Sequence, residues 1–233
     1  MTAQEFDAHA DSYRQTLDDA LALGGGDSLY YAERKFAALR DFMAEDSRAT
    51  PTAILDFGCG TGTNLPFLRE LFADTALYGV DVSSRSLELA QERHIPRCQL
   101  TSYDGEHLPF DEAKFDLVVV SNVLHHIEPT YRAETLKEIS RCMKPGGLLV
   151  VFEHNPANPV TRKVVRDCPF DVGVTLVSQG EILKVLRDLD YRVASLWNII
   201  FVPAALKKMN AVERSLRWLP LGAQYVLFAE WQR

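Results

Sequence analysis

Only four cysteines, Cys59, Cys98, Cys142 and Cys168, occur in 233 residues, and none forms a Cys-x-x-Cys pair or stands beside a histidine at ligand spacing. That scarcity excludes a disulfide framework and gives no sign of a zinc site, so reduced thiols in a cytoplasmic protein without a metal are expected. Long apolar runs are missing too. No stretch approaches about 18 consecutive apolar residues, and Met1-Thr-Ala-Gln-Glu-Phe-Asp7 is acidic without an apolar centre. Neither a transmembrane segment nor a signal peptide is expected. Dense positive charge is the third absence: the net charge is −7, and no Lys/Arg block could neutralise several phosphates. Nucleic acid is therefore not an expected partner.

What is present is an ordinary globular composition, 47% apolar and 24% charged, at a length that suits one large domain or a core with a small cap. The chain is organised around Ile54-Leu55-Asp56-Phe57-Gly58-Cys59-Gly60-Thr61-Gly62, an apolar run read as a buried strand that breaks into three alternating glycines. Such glycines turn the chain tightly and bring bare backbone against a ligand beyond the strand's carboxyl end. A dinucleotide fingerprint would need its third glycine at position 63, which is Thr63, so a nucleotide-dependent oxidoreductase is disfavoured. Asp56 beside the loop suits a cationic group and not a pyrophosphate. A second acid, Asp81, ends the next apolar run, Leu77 to Val80, where a ribose diol is gripped.

A glycine triplet preceded by Asp and followed about 20 residues on by a strand-ending Asp is a specific combination, and it resembles the class I S-adenosylmethionine-dependent methyltransferases. The resemblance extends along the chain. From residue 51, strands and helices alternate in the manner of a parallel sheet with crossovers: helix Thr63–Phe72, strand Leu77–Val80, helix Arg85–Arg93, strand Cys98–Thr101, strand Phe115–Val120, and a helix from Pro129 to about Cys142. The turn Lys144-Pro-Gly-Gly147, common in that family, leads into strand Leu148–Phe152; helix Glu181–Leu189 and strands Tyr191–Ile200 and Gln224–Trp231 follow. The resemblance implies an α/β, Rossmann-like, mostly parallel seven-stranded sheet in the order 3-2-1-4-5-7-6, its last strand antiparallel, with helices on both faces. It implies S-adenosyl-L-methionine as cofactor, with Asp56, Gly58, Gly60 and Gly62 at its amino-acid end and Asp81 and Val82 at the ribose. Asp104 and Gly105, in the loop that continues to Leu108-Pro109-Phe110, would meet the adenine, and Ser121 and Asn122 would hold the methionine part.

The methyl side is less specific. His125 and His126 follow the fourth strand and Glu153, His154 and Asn155 the fifth, so His126, His154 and His125 are the candidate catalytic residues. A histidine near its ordinary pKa would suit an oxygen acceptor that must lose a proton. Glu153, Asn155 and Arg162 are candidate substrate contacts, with a helix cap or a Glu153–Arg162 ion pair as the plainer alternative for the acid. Tyr13 and Tyr30, in a helical segment 1–50 expected to act as an N-terminal lid on the core 51–233, complete the set; ordinary helix packing is their alternative.

Two stretches exceed simple crossovers. Residues 153–178 carry three prolines and little periodicity, and an insertion there would sit over the substrate. Residues 203–220 place Leu206, Met209, Val212, Leu216 and Leu219 on one helical face with Lys207, Lys208, Arg214 and Arg217 mostly elsewhere. Such a helix can lie on a membrane or meet a lipid-linked substrate, though a packed cap or dimer helix is commoner. The expected function is methyl transfer to a small-molecule oxygen, nitrogen or carbon acceptor by a monomer or homodimer, with a non-catalytic cofactor-sensing module as the alternative.

Overall fold

A computed structural model describes residues 26–233 together with Asp7, Ala10, Asp11, Thr16 and Asp18. Tyr13 lies outside the described residues. The strands are β1 (Ala53–Phe57), β2 (Ala76–Asp81), β3 (Cys98–Ser102), β4 (Phe115–Ser121), β5 (Met143–His154), β6 (Tyr191–Ile199) and β7 (Gln224–Trp231). They form one sheet in the order β3-β2-β1-β4-β5-β7-β6. The ladders through β3, β2, β1, β4 and β5 are parallel, and β7 runs antiparallel to both β5 and β6. This is the expected order and sense.

The continuous apolar runs of β1, β4, β5 and β7 are central strands covered on both faces, and alternate residues divide between two cores. On one face Leu55, Phe57, Val118, Val120, Leu149 and Val151 meet Leu136 and Ile139 of α4 (Arg132–Cys142) and Ile182 and Leu186 of α6 (Gln179–Asp188). On the other, Ile54, Leu117, Val119, Val150 and Phe228 meet Phe36, Leu39 and Phe42 of α1 (Ser28–Glu45). Fully burying each such side chain stabilises the fold by about 1.5–3 kcal/mol. Phe42 stacks on Phe228 with ring centroids 4.0 Å apart, so residues 28–45 of the expected lid are part of the core. The apolar spacing at Phe36, Leu39 and Phe42 is that of a helix packed on a sheet face.

Boundaries shift where capping chemistry decides them. Ser83 accepts from the Ser86 N–H and starts α3 (Ser84–Gln91), while α2 (Leu65–Leu71) begins with Pro66 in its first turn. β5 starts at Met143, so Lys144 to Gly147 lies within the strand, where Gly146 takes φ +76°. The stretch 153–178 contains a helix that periodicity did not reveal, α5 (Pro159–Asp167). Its signal was the Asn158-Pro159 start: Asn158 Oδ1 accepts from the Val160 and Thr161 N–H groups.

The expected amphipathic helix over 203–220 does not form. Ala204–Val212 is a run of 3₁₀ turns kinked at Leu206, followed by the single α turn of α7 (Glu213–Leu216). Polar contacts anchor it instead of an apolar face. Glu213 is buried, accepts from the Phe201 and Val202 N–H groups and pairs with Arg34 at 2.8 Å. Arg214 and Arg217 both pair with Asp41. Leu206, Met209 and Val212 are left about half exposed. Among the described residues no helix is long and apolar enough to cross a membrane.

Candidate active site

Parallel strands deliver their loops to one edge of the sheet, and most of the expected site residues lie at or just beyond the carboxyl ends of β1 to β5. Asp56, the penultimate residue of β1, is fully buried; its Oδ1 accepts from Asn64 Nδ2 at 3.3 Å and its Oδ2 has no partner among the described residues. Burial pushes the carboxyl up to about 7, against the pull of the Asn64 hydrogen bond and the Lys35 charge. An orphaned buried carboxylate oxygen costs about 1–3 kcal/mol and calls for a donor, best a cation.

The glycines that follow are held in left-handed geometry. Gly58 has φ +67°, and a Cβ there would stand 2.6 Å from Val123 Cγ2; Gly60 has φ +51° and open space where a Cβ would go. The Gly60 backbone therefore faces outward, in reach of a ligand. Its N–H donates to Asp81 Oδ2 at 2.8 Å, and the Ser83 N–H donates to Asp81 Oδ1 at 2.9 Å. Asp81 is thus oriented by the loop and keeps lone pairs for a hydroxyl pair. Val82 Cγ1 is 3.8 Å from where a Gly105 Cβ would lie, so the two flank one another. Asp104 is more exposed: its side chain is 61% accessible and Oδ1 accepts from the Glu106 and His107 N–H groups, which makes it the organiser of its own turn.

Ser121 and Asn122 close this half. Ser121 Oγ accepts from Lys35 Nζ at 2.7 Å, Asn122 sits at φ +58°, and Asn122 Oδ1 is buried without a partner among the described residues. Lys35, which the sequence reading overlooked, is a buried cation whose pKa burial lowers to about 8 despite the nearby Asp56 and Glu153 charges. Its only signal was a lysine on the apolar face of α1.

The methyl side differs from expectation. Glu153 is fully buried, accepts from the Leu124 N–H at 2.7 Å through Oε1 and meets His125 Nδ1 at 2.7 Å through Oε2. Both oxygens are engaged by protein: Oε1 takes the first N–H of the 3₁₀ turn Leu124–His126, so Glu153 caps that turn and positions the loop after β4, the plainer alternative for this acid, and no Glu153–Arg162 ion pair forms among the described residues. His125 is buried between Glu153 and Asp171, and although burial opposes its charge those two carboxylates raise its pKa to about 9. In that state the imidazole would not accept a proton, and its Nδ1 is taken up by Glu153. His126 and His154 stay neutral: burial, reinforced by the His125 charge, lowers them to about 3 and about 4. They are weaker bases than an ordinary histidine, because the same cluster that assembles them carries the proton elsewhere.

Asn155 is 2% exposed and donates to the carbonyls of Pro220 and Gly222, while its Oδ1 accepts from the Ala157 N–H. It staples the chain before β7 and is not free for substrate. Tyr30 donates to Val202 O and Asn210 Oδ1, tying α1 to the 203–212 segment. Arg162 stands exposed on α5. Asp171, in the 3₁₀ turn Pro169–Asp171, was overlooked because only the folded insertion returns it to the histidines.

Residues 54–147 match the sequence profile of a methyltransferase domain family. A demethylmenaquinone methyltransferase of Lactiplantibacillus plantarum is 34% identical over 129 residues, covering 52% of this chain and 54% of that protein. A phthiotriol/phenolphthiotriol dimycocerosates methyltransferase of Mycobacterium leprae is 32% identical over 108 residues, 46% of this chain and 39% of that protein. The chain thus spans about half or less of the length of these curated relatives. Among solved structures, a Haloferax volcanii methyltransferase in complex with the Trm112 activator superposes with a TM-score of 0.69 at 21% identity over 98% of both chains. A Thermotoga maritima S-adenosylmethionine-dependent methyltransferase gives 0.68 at 16% identity, covering 97% of this chain and 98% of the other.

Proposed function

We propose, from the premise that this chain belongs to the class I S-adenosylmethionine-dependent methyltransferases, that it methylates a small molecule with an apolar body presented at a membrane surface. The observation that carries the cofactor half is the lone Asp56 Oδ2, buried beside the open Gly60 backbone. The ammonium group of S-adenosylmethionine is the cation that would satisfy it. Asp81 and Val82 take the ribose, Asp104 and Gly105 border the adenine, and Asn122 Oδ1 and the backbone from Ser121 hold the methionine part. Asp7, which accepts from the Ser83 hydroxyl at 2.6 Å and from the Arg85 N–H at 3.1 Å, supports an N-terminal cover over this end.

S-Adenosylmethionine supplies an electrophilic methyl group on a sulfonium, so the protein's task is alignment and exclusion of water. The loop after β4 is locked by Glu153 to the Leu124 N–H, which fixes the wall facing the acceptor. His126 and His154 are the neutral imidazoles in reach of an acceptor proton. Their low basicity favours an acceptor that is already acidic or needs no deprotonation.

The acceptor class rests on the connection 200–223, which leaves β6 at this same edge. It exposes Leu206, Met209, Val212, Trp218 and Leu221, from 47% to 76% accessible, beside the exposed Lys207 and Lys208. Apolar side chains interleaved with lysines suit an anionic bilayer surface. The demethylmenaquinone and dimycocerosate relatives, whose names specify apolar acceptors, agree with that choice. The test is transfer of labelled methyl from the donor into a membrane lipid extract against a water-soluble metabolite fraction. Label in the lipid phase is expected; label only in the soluble fraction would overturn the acceptor class. Calorimetry with S-adenosylhomocysteine against NADH checks the cofactor, and tight binding of the former with no transfer to any acceptor would favour a sensing module.

A further inference from the structure

Three imidazoles crowd together beyond β4 and β5: the His125 ring centroid is 4.2 Å from that of His126 and 5.0 Å from that of His154. Ligand-capable atoms of His125, His154 and Asp171 all lie within 4.8 Å of one another. His125 Nε2 and His126 Nε2 are each 3.6 Å from the same oxygen, Asp171 Oδ1. That distance is too long for a hydrogen bond. It is close to the spacing of two donors on one tetrahedral cation, about 3.3–3.6 Å when each stands 2.0–2.2 Å from the centre.

We propose that His125 Nε2, a ring nitrogen of His154 and Asp171 Oδ1 form a binding site for a first-row divalent cation, Zn²⁺ foremost, with a position left open beside His126. The second layer is already in place. Glu153 Oε2 lies 2.7 Å from His125 Nδ1, the carboxylate-to-imidazole contact that fixes the tautomer and aims the other nitrogen at a metal. Glu153 is itself fixed by the Leu124 N–H. Charge balances as well: the cation displaces the His125 Nε2 proton to solvent, and two neutral imidazoles, the carboxylates of Asp171 and Glu153 and one divalent cation then sum to zero. Two imidazoles and one carboxylate favour Zn²⁺ or Fe²⁺ over Mg²⁺ or Ca²⁺, which take oxygen ligands.

Three protein ligands with an open position are the arrangement of a reactive and not a closed structural site. On the methyltransferase reading, on which this step alone rests, the open position faces the acceptor and would bind an acceptor oxygen. The ligands come from the loop after β4, the end of β5 and the turn after α5, so no local spacing in the sequence announces them.

The test starts with full-length wild-type protein dialysed against a chelator, then titrated with Zn²⁺ by calorimetry and with Co²⁺ in the visible region. One equivalent of Zn²⁺ and a d–d spectrum of low-coordinate Co²⁺ are expected. Asp171→Asn and His154→Gln should each weaken Zn²⁺ at least about 100-fold, and Glu153→Gln about 10- to 100-fold. Absence of stoichiometric uptake by the wild-type protein would overturn the site and leave His125 as an imidazolium bridging two carboxylates. Uptake unchanged in the Asp171→Asn/His154→Gln double variant would overturn it too. S-Adenosylhomocysteine affinity, measured on the metal-free protein, tests the methyltransferase reading separately, since Asp56, Asp81 and the glycine loop do not touch these ligands.

Discussion

The two halves of the sheet's carboxyl edge are built on different logic. At β1 and β2 the site consists of backbone and short side chains that belong to one continuous loop each: Gly60 donates to Asp81, Ser83 donates to Asp81, and Gly58 fits under Val123. At β4 and β5 it consists of long-range side-chain contacts, with Glu153 reaching back to His125 and Asp171 returning from beyond α5. The first half keeps polar capacity unspent, as Asp56 Oδ2 shows. In the second, both Glu153 oxygens are already occupied by protein groups. One half leaves a buried carboxylate oxygen for an organic ligand to complete, and the other is tied together by its own side chains around a cluster of imidazoles and carboxylates.

The largest test of that contrast is Glu153→Gln. Removing one partner of a buried ion pair leaves His125 with only the more distant Asp171 and should cost about 3–5 kcal/mol, read as a fall in the urea midpoint. An unchanged midpoint would show that the His125 side is not self-supporting. Asp81→Ala should do the reverse, weakening S-adenosylhomocysteine by about 1.5–3 kcal/mol as a charge-assisted partner is lost. Equal affinity in the variant would remove Asp81 from the ligand's half.

A pH series sharpens the contrast further. Because burial raises Asp56 to about 7, the carboxyl must release its proton to receive a cationic ligand, so S-adenosylhomocysteine affinity should rise about tenfold per unit up to pH 7 and level off above it. In the ligand-free fold the sign is opposite: the raised pKa contributes stability that is complete below the ordinary carboxyl value of about 4 and is lost as pH rises through about 7. Asp56→Asn should flatten the binding profile, and a profile that survives in the variant would assign it to another group. The smallest effect belongs to Tyr30→Phe. Losing the contacts to Val202 O and Asn210 Oδ1 should cost about 0.5–1.5 kcal/mol with cofactor affinity unchanged; a loss of methyl transfer alone would return Tyr30 to the acceptor wall.

Legibility followed the same division. The strand order, the antiparallel β7 and the turn after β1 were readable because a buried parallel strand writes itself as a run such as Leu117–Val120 and a tight turn as a glycine triplet. Chain-local chemistry suffices there. Asp104 shows the limit, since its acid belongs to the expected pattern yet is spent on its own turn. The failures were residues whose partners come from elsewhere. Asn155 looked like a substrate contact and binds carbonyls near residue 220; Glu153 looked like another and is wholly buried. The 203–220 stretch had helical periodicity, yet Glu213 turned inward to the Phe201 and Val202 N–H groups and broke the pattern.

The amino-acid order alone was enough for the parallel sheet, the glycine loop and the two acids that suit a cationic, ribose-bearing ligand, since each depends on neighbours within a few residues. Only the folded chain decided the protonation of the histidines, the burial of Lys35 and the meeting of His125, His154 and Asp171. Electrostatic fields and ligand geometry act through space, and residues far apart in the chain acquire those properties when the sheet brings their strand ends to one edge.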